Sequence, residues 1–351
     1  MSEMTEIIVD TTRRIFEDLG NPQTIINAKG DSWRAPLWAA LDDGGLTRAW
    51  ADEAAGGAGL SVSDTFEIIR VAGAHAVAVP LVPHLLAVWL CSRAGMALPE
   101  GVMTVAAPTG DALPTLAADG TLKGLIGPVA HVDQADHLAV MAATADGPVA
   151  VLVAVDAAMS DPGSDQAGDG LAMVRLDGVT PVASASVDVT AEDVQALGAA
   201  MAAMAVAGAF EGALKMCVAY SQDRVAFGRP IAKFQAVQHL LARLAEETAA
   251  VVAAAASAAF ALETAARPMD AFVDIATAKI RAGEAASEGG LIAHQVHGAI
   301  GFTADHPLHR YVQRMWSWRD QFGREAVWAE RLGRHFAAQG GDAFWKTITA
   351  A

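Results

Sequence analysis

Four histidines near the C-terminus have a spacing that could bind a metal ion. His294 and His297 form one pair, and His306 and His309 form another. Each pair has the i,i+3 spacing that places two side chains on the same face of a helix. No cluster of cysteine, aspartate or glutamate completes either pair into a clear ligand set. We therefore predict no metal site.

Two segments combine a cation, amides and glycines in a way that suits an anionic ligand. The first is Arg224–Gln235, RVAFGRPIAKFQ, and the second is Gln295–Thr303, QVHGAIGFT. Arginine makes charge-assisted hydrogen bonds with phosphate, and glycine lets the backbone approach a ligand closely. Taken alone, the first segment could be no more than a helix C-cap with its packing residue. The occurrence of both segments in one chain favours a binding role.

Together the two segments resemble the signatures of the acyl-CoA dehydrogenase family. The first matches the family pattern R-x-x-F-G-x-P-I-x-x-F-Q, and the second is similar to Q-x-x-G-G-x-G-[FY]. Upstream, Leu41–Gly59 looks like the family's L-x-x-x-G-L stretch followed by G-G-x-G. The resemblance extends over nearly the whole chain. It implies a flavoenzyme that uses FAD to introduce an α,β double bond into an acyl-CoA thioester.

The resemblance also implies which residues contact the cofactor. In the family, residues of these two motifs contact the FAD of a neighbouring subunit. On this sequence the corresponding residues are Arg224, Phe227, Gln235, Gln295, Gly298 and Gly301. Ala299 stands where the family usually has a second glycine, which is a mild departure from the pattern.

The catalytic base of the family has no counterpart in this sequence. Most members place a glutamate directly before a glycine downstream of the second motif, and here that place is Phe322-Gly323. A minority place the glutamate on the helix before the first motif, where this chain has Gly198. The arginine that the family has beside it is replaced by Ala199. Because neither phenylalanine nor glycine can accept a proton, we predict no catalytic residue at these positions.

The flavin-ring half of the site also departs from the family. The family uses a W-[IV]-[TS] strand and a T-E-P-x-x-G-S-D loop, and residues 90–209 contain neither, nor any Phe, Tyr or Trp. Some members, including bacterial enzymes for steroid-CoA thioesters, are heterotetramers of two unlike subunits. This chain resembles the subunit without the base. The resemblance thus implies a second dehydrogenase-like subunit, an acyl-CoA with a steroid or other bulky acyl group, and an electron-transfer flavoprotein or similar acceptor.

Two other interpretations remain open at this point. A self-sufficient homo-oligomer could use a relocated carboxylate, for which Asp305, Asp320 and Glu325 are the candidates near the second motif. Each of these side chains is also typical of a solvated or salt-bridged surface acid. The chain could alternatively be a non-enzymatic scaffold with the same fold.

The elements that must position these motifs follow the order helices, strands, helices. We predict a mainly α protein with a small central β domain: an N-terminal helical domain (1–104), a β-barrel-like middle domain (105–189) and a C-terminal four-helix bundle (190–351). Apolar residues recur at helical spacing from residue 7 to residue 19. Thr190 and Asp193 resemble a capping box. Breaks in the long C-terminal helices are expected near Arg229-Pro230 and Gly289-Gly290.

Turn pairs define the middle domain. Asp119-Gly120, Asp146-Gly147 and Asp177-Gly178 separate short apolar runs, and an Asp-Gly pair between such runs predicts a hairpin. The run Val149–Val155 is a predicted strand.

Composition excludes several classes of protein. A net charge of −16 disfavours nucleic acid and anionic membrane surfaces as partners. Cys91 and Cys217 form no spacing motif, so they are expected to be buried apolar residues. The uncharged run Thr248–Leu262 is too short to span a bilayer, and the polar N-terminus has no signal-peptide core. We expect a cytoplasmic protein without a membrane segment.

Overall fold

The N-terminal part of the chain is helical, as the sequence predicts. The computed structural model describes residues 3–28, 30–108 and 110–349. The first five helices are α1 (Glu3–Leu19), α2 (Pro22–Asn27), α3 (Arg34–Asp43), α4 (Val62–Ala74) and α5 (Leu81–Arg93). They are largely apolar on their inner faces, and Phe16, Leu41 and Phe66 are fully buried there.

The middle of the chain forms two antiparallel-rich sheets. Its strands are β1 (Met103–Ala106), β2 (Thr115–Leu116), β3 (Leu122–Lys123), β4 (Leu125–Ala130), β5 (His137–Thr144), β6 (Gly147–Ala154), β7 (Met159–Ser164), β8 (Gly170–Arg175) and β9 (Ala183–Ser186). One sheet has the order β3-β2-β5-β6-β9 with β1 parallel to β5, and the other has the order β4-β8-β7. The Asp146-Gly147 pair turns β5 into β6, which confirms that hairpin and the strand predicted at Val149–Val155.

The C-terminal part is a bundle built on one long helix. The elements are α6 (Ala191–Asp223), β10 (Val225–Ala226), β11 (Arg229–Pro230), α7 (Gln235–Thr264), α8 (Phe272–His297), α9 (Leu308–Asp320), α10 (Glu325–Gln339) and α11 (Gly341–Thr349). The predicted capping box starts α6: Asp193 N–H donates to Thr190 Oγ1 at 3.2 Å, and Thr190 N–H donates to Asp193 Oδ2 at 2.8 Å. The core-facing α6 packs against α4, α7, α8 and α9.

Among the described residues, two helices are long and apolar enough to cross a membrane by length and composition alone, namely α6 and α7. In α6, however, 83% of the apolar window is buried inside the protein, as befits the central helix of a bundle. The run Val194–Phe210 of α6 lies between Asp193 and Glu211 and is longer than the run Thr248–Leu262 on which the sequence expectation was based.

Two predictions about local structure were wrong. Gly289-Gly290 does not interrupt α8, because these glycines allow close packing: a Cβ at Gly289 would lie 2.2 Å from Phe210 Cε1. Asp177-Gly178 does not form a hairpin, because β8 and β9 belong to different sheets.

Candidate functional site

A cavity of about 620 Å³ lies between the β sheets and the C-terminal bundle. The ends of β1 and β4 supply one wall, with Val105 and Pro128, and β8 adds Leu171. Gln195 of α6 and the segment from the end of α9 through Phe322 to Arg324 supply the opposite wall. Most of this lining is apolar, as in a small-molecule site.

Phe322 lines this cavity and packs against Gly198 of α6; these are the two positions that the family resemblance assigns to the base. A Cβ at Gly198 would lie 2.5 Å from Phe322 Cδ1, so the phenylalanine ring rests directly on the glycine of α6. Phe322 has the left-handed φ of +56°, which is uncommon for a bulky residue, and its carbonyl accepts a hydrogen bond from Trp328 Nε1 at 3.0 Å. Neither side chain has a proton acceptor.

Two carboxylates also line the cavity. Asp320 accepts hydrogen bonds from Arg319 Nε at 2.9 Å and from Arg324 Nη2 at 3.1 Å, so both of its oxygens are engaged. Asp165 accepts from the backbone N–H groups of residues 167 and 169, at 2.8 and 3.0 Å, and from the Ser317 hydroxyl. Asp165 was not predicted from the sequence, because no sequence pattern indicates that the loop between β7 and β8 contacts α9.

The other candidate carboxylates lie elsewhere. Glu325 packs against Gly283 of α8, where a Cβ would lie 2.7 Å from Glu325 Cβ, and it is not among the cavity-lining residues. Asp305 follows the second motif and is also absent from the lining; its carbonyl oxygen accepts from Gln23 Nε2 at 3.4 Å. Of the three relocated-base candidates, only Asp320 reaches the cavity.

Lys279 supports the chain that leads into this segment. Its Nζ is buried and donates to the carbonyl oxygen of Trp318 at 2.8 Å. Burial lowers the pKa of Lys279 to about 7, against the opposing effect of Asp320 and Glu325. The amine thereby anchors the end of α9, two residues before Asp320.

The first sequence motif forms a tight hairpin at the far end of α6. Val225–Ala226 pairs with Arg229–Pro230, and the two turn residues Phe227 and Gly228 both have positive φ, +51° and +79°. This is the geometry of a type I′ turn, in which a bulky residue at the first position is strained. The Phe227 side chain is 95% exposed. The fold thus holds an aromatic ring in solvent at a conformational cost.

The second motif lies beside this hairpin. Tyr220 of α6 stacks on His297 of α8 with ring centroids 4.4 Å apart, which brings the C-terminal ends of the two helices together. Gln235 starts α7 at the same end of α6, and Gln295 lies in the last turn of α8. Within the part of the chain that the structure describes, no hydrogen bond or ion pair engages the side chains of Arg224, Gln235 or Gln295.

The two glycines of the second motif differ in their surroundings. Gly298 is exposed, has φ +65° and ψ −145°, and has open space where a Cβ would stand. Gly301 is buried, and a Cβ there would lie 2.9 Å from Leu308 Cδ2 and 3.0 Å from His297 Cβ. Gly298 is therefore available to an external ligand, whereas the packing of the helix ends already requires Gly301.

The histidines of this region stack on aromatic rings. His294 lies 4.0 Å from Phe302 by ring centroids, and His297 lies 4.8 Å from His306. Burial lowers the pKa of His297 to about 4, so its ring is neutral near pH 7. Among the described residues, no group of three or more His, Cys, Asp or Glu side chains is arranged to hold a metal ion.

Comparison with known proteins agrees with this architecture. Residues 191–336 match the family model described as "Acyl-CoA dehydrogenase, C-terminal domain". Acyl-CoA dehydrogenase FadE28 of Mycobacterium tuberculosis is 30% identical over 306 residues, which cover 78% of this chain and 84% of the relative. Acyl-CoA dehydrogenase FadE27 of the same organism is 29% identical over 337 residues, covering 86% and 88%.

Solved structures of two complexes superpose over nearly the whole chain. A chain of the ChsE4-ChsE5 complex from M. tuberculosis has a TM-score of 0.87 at 23% identity, covering 97% of this chain and 99% of that one. A chain of a Tcur3481-Tcur3483 steroid ACAD variant has a TM-score of 0.84 at 28% identity, covering 96% and 98%. The two motifs, the helix–sheet–helix fold and these relatives agree, and the chain belongs to the acyl-CoA dehydrogenase family of FAD-dependent oxidoreductases.

Proposed function

We propose that this chain is the subunit without the base in a hetero-oligomeric acyl-CoA dehydrogenase, and that it completes the FAD site of a second, dehydrogenase-like subunit. One observation carries the proposal: Arg224 and Gly298 of the two motifs are exposed at one end of the bundle, whereas in the cavity of the same chain Phe322 packs on Gly198 and neither side chain can accept a proton.

The exposed end of the bundle fits the role of an FAD contact made across a subunit interface. The Arg224 guanidinium is free to bind a pyrophosphate, and Gly298 allows close approach of the backbone. Large apolar side chains surround these groups and are more than two-fifths exposed: Val225, Phe227, Leu291, Ile300 and Phe302. Exposed apolar patches of this kind mark protein interfaces.

The cavity of this chain fits FAD poorly. Phe322 is the single aromatic residue among the described residues of its lining, and the β walls present small residues such as Ala106 and Pro128. We infer that flavin chemistry takes place in the partner, where FAD would supply the acceptor for the hydride that leaves the acyl group. In the assembled enzyme, Arg224, Gln235 and Gln295 of this chain would hold the cofactor, and Phe227 would shield it from water.

The substrate class follows from relatives. The Tcur3481-Tcur3483 relative is named a steroid ACAD, and this supports a steroid or another bulky acyl-CoA as the substrate. We further propose an electron-transfer flavoprotein or a similar protein as the electron acceptor. These assignments concern the assembled enzyme and do not depend on any one residue of this chain.

Flavin stoichiometry tests the proposal. Co-expression with a partner that carries the missing glutamate should give a complex of two copies of each subunit, with about one FAD per pair. This chain purified alone should be colourless. One FAD per copy in this chain alone would contradict the proposal.

The alternative with a relocated base has one observation in its favour, the presence of Asp320 at the cavity. Its two oxygens already accept from Arg319 and Arg324, which leaves the carboxylate poorly placed to take a substrate proton. Asp320→Asn keeps the shape of the side chain and removes its basicity. Loss of turnover in the Asp320→Asn complex, with flavin content unchanged, would favour this alternative.

A further inference from the structure

The cavity beside Phe322 remains open although the chain has lost the family's base. Its volume of about 620 Å³ is within the range of small-molecule sites, about 300–1,000 Å³. Pro83, Val105, Pro128 and Leu171 give it apolar walls, and the Phe322 ring adds a flat surface. A collapsed, disused site would be expected to fill with side chains, because protein interiors are close-packed.

Polar groups on the cavity wall have a defined arrangement. Gln195 Oε1 accepts a hydrogen bond from Arg331 Nη1 at 2.8 Å, which fixes the amide and leaves Nε2 as a donor. No acceptor for Nε2 is present among the described residues. Asp165 and Asp320 supply carboxylate oxygens, and Arg324 at the rim is already paired with Asp320. Gln166 and Gln321 also line the cavity, so the wall offers amide donors beside two carboxylate acceptors.

A hydroxyl group satisfies this arrangement, because it accepts one hydrogen bond and donates another. Arg319 and Arg324 compensate the charge of Asp320, whereas Asp165 has no ion pair among the described residues and disfavours an anionic ligand by like-charge repulsion. We propose that the cavity binds a neutral, largely apolar molecule that carries a hydroxyl group, at a site that does no chemistry. This inference rests on the proposed function, because a flavin held in the same cavity would occupy the space.

The test uses androsterone, a rigid neutral ring system with one hydroxyl, and androstanone, the same ring system without it. Binding to the full chain is followed by the ligand-dependent rise in melting temperature and by titration. We expect one androsterone per chain and binding of androstanone about twofold to tenfold weaker, as for the loss of one neutral hydrogen bond.

Two matched variants locate the site. Leu171→Trp fills the cavity and should abolish saturable binding of androsterone. Leu125→Trp introduces the same residue at a half-exposed position of β4 outside the cavity and should bind androsterone as the wild type does. Both variants are checked for native circular dichroism, and the comparison of the two steroids on the wild-type chain does not depend on either variant.

The inference is overturned if androsterone does not bind saturably, if the two steroids bind equally, or if both tryptophan variants lose binding alike. FAD titration of the same chain distinguishes failure of this inference from failure of the proposed function. Uptake of one FAD per chain in competition with androsterone would refute both. Absence of androsterone binding, with about one FAD per pair in the assembled complex, would refute this inference alone.

Discussion

The contact between Gly198 and Phe322 predicts that a substitution which normally stabilises a helix will be destabilising here. Gly198 lies in the interior of α6, where glycine costs about 1 kcal/mol relative to alanine. Gly198→Ala would, however, place a Cβ 2.5–2.7 Å from three ring atoms of Phe322. Optimal carbon–carbon contacts are about 3.5–4.0 Å, so the ring must move by about 1 Å.

The net effect follows from these two opposing contributions. Overpacking of this kind costs about 1–3 kcal/mol, which cancels or exceeds the gain in helix propensity. We expect Gly198→Ala to lower the free energy of unfolding by up to about 2 kcal/mol. In a Phe322→Ala background the ring is absent, so Gly198→Ala should raise the free energy of unfolding by about 0.5–1 kcal/mol. We therefore predict that the effect of Gly198→Ala on the free energy of unfolding changes sign when the Phe322 ring is removed.

Urea unfolding of the full chain measures both effects through the transition midpoint. Gly333→Ala in α10 is the matched control, because nothing lies within 4 Å of a Cβ at that position; it should be stabilising in either background. An effect of Gly198→Ala that is the same with and without the Phe322 ring would refute the assigned contact. Such additivity is expected only for residues that do not touch.

Three further predictions concern other parts of the chain. Arg224→Ala should weaken FAD binding in the assembled complex by about 1.5–3 kcal/mol, measured by flavin titration, whereas Arg334→Ala on exposed α10 should leave it unchanged. Phe227→Gly relieves the φ of +51°, so it should leave the free energy of unfolding of the chain unchanged or raise it by up to about 1 kcal/mol while weakening assembly with the partner in gel filtration. Burial lowers the pKa of Lys279 from 10.5 to about 7, so between these two pH values the unfolded chain binds more protons than the folded one. The free energy of unfolding should therefore rise with pH in that range. Lys279→Met should remove this rise, which unfolding measured at several pH values would show.

Signals that act over a few residues were readable from the sequence. The Thr190–Asp193 capping box and the Asp146-Gly147 hairpin depend on local backbone geometry, and both were predicted correctly. Gly289-Gly290 was read as a helix break because glycine usually weakens a helix. In the structure, Phe210 of α6 packs against Gly289 instead. The sequence around a glycine does not show which side chain from another helix will pack against it.

Residues of the cavity show the same limit. Phe322 and Gly198 were identified by alignment with a family pattern, and the structure brings them into contact. Asp165 comes from a β-domain loop far away in the sequence, and nothing in its neighbours indicates that it reaches the Ser317 hydroxyl. Gly301 was assigned to the cofactor as part of a motif, and its burial against Leu308 shows that motif membership alone does not distinguish a ligand contact from a packing requirement.

Under the proposed function, the geometry of α6 explains how one half of a flavin site can be lost while the other is kept. Gly198 lies near the start of this helix and Arg224 caps its end, so the two are about 39 Å apart at the rise of an α-helix. Substitutions at such a distance, with no shared partners, have nearly independent effects on stability and binding. Loss of the base at one end of α6 therefore need not affect the β10-β11 hairpin, Gln235 or Gln295 at the other end. A subunit of this design can keep its interface and its FAD contacts under selection through the partner's activity, while its own cavity becomes free to bind a different ligand.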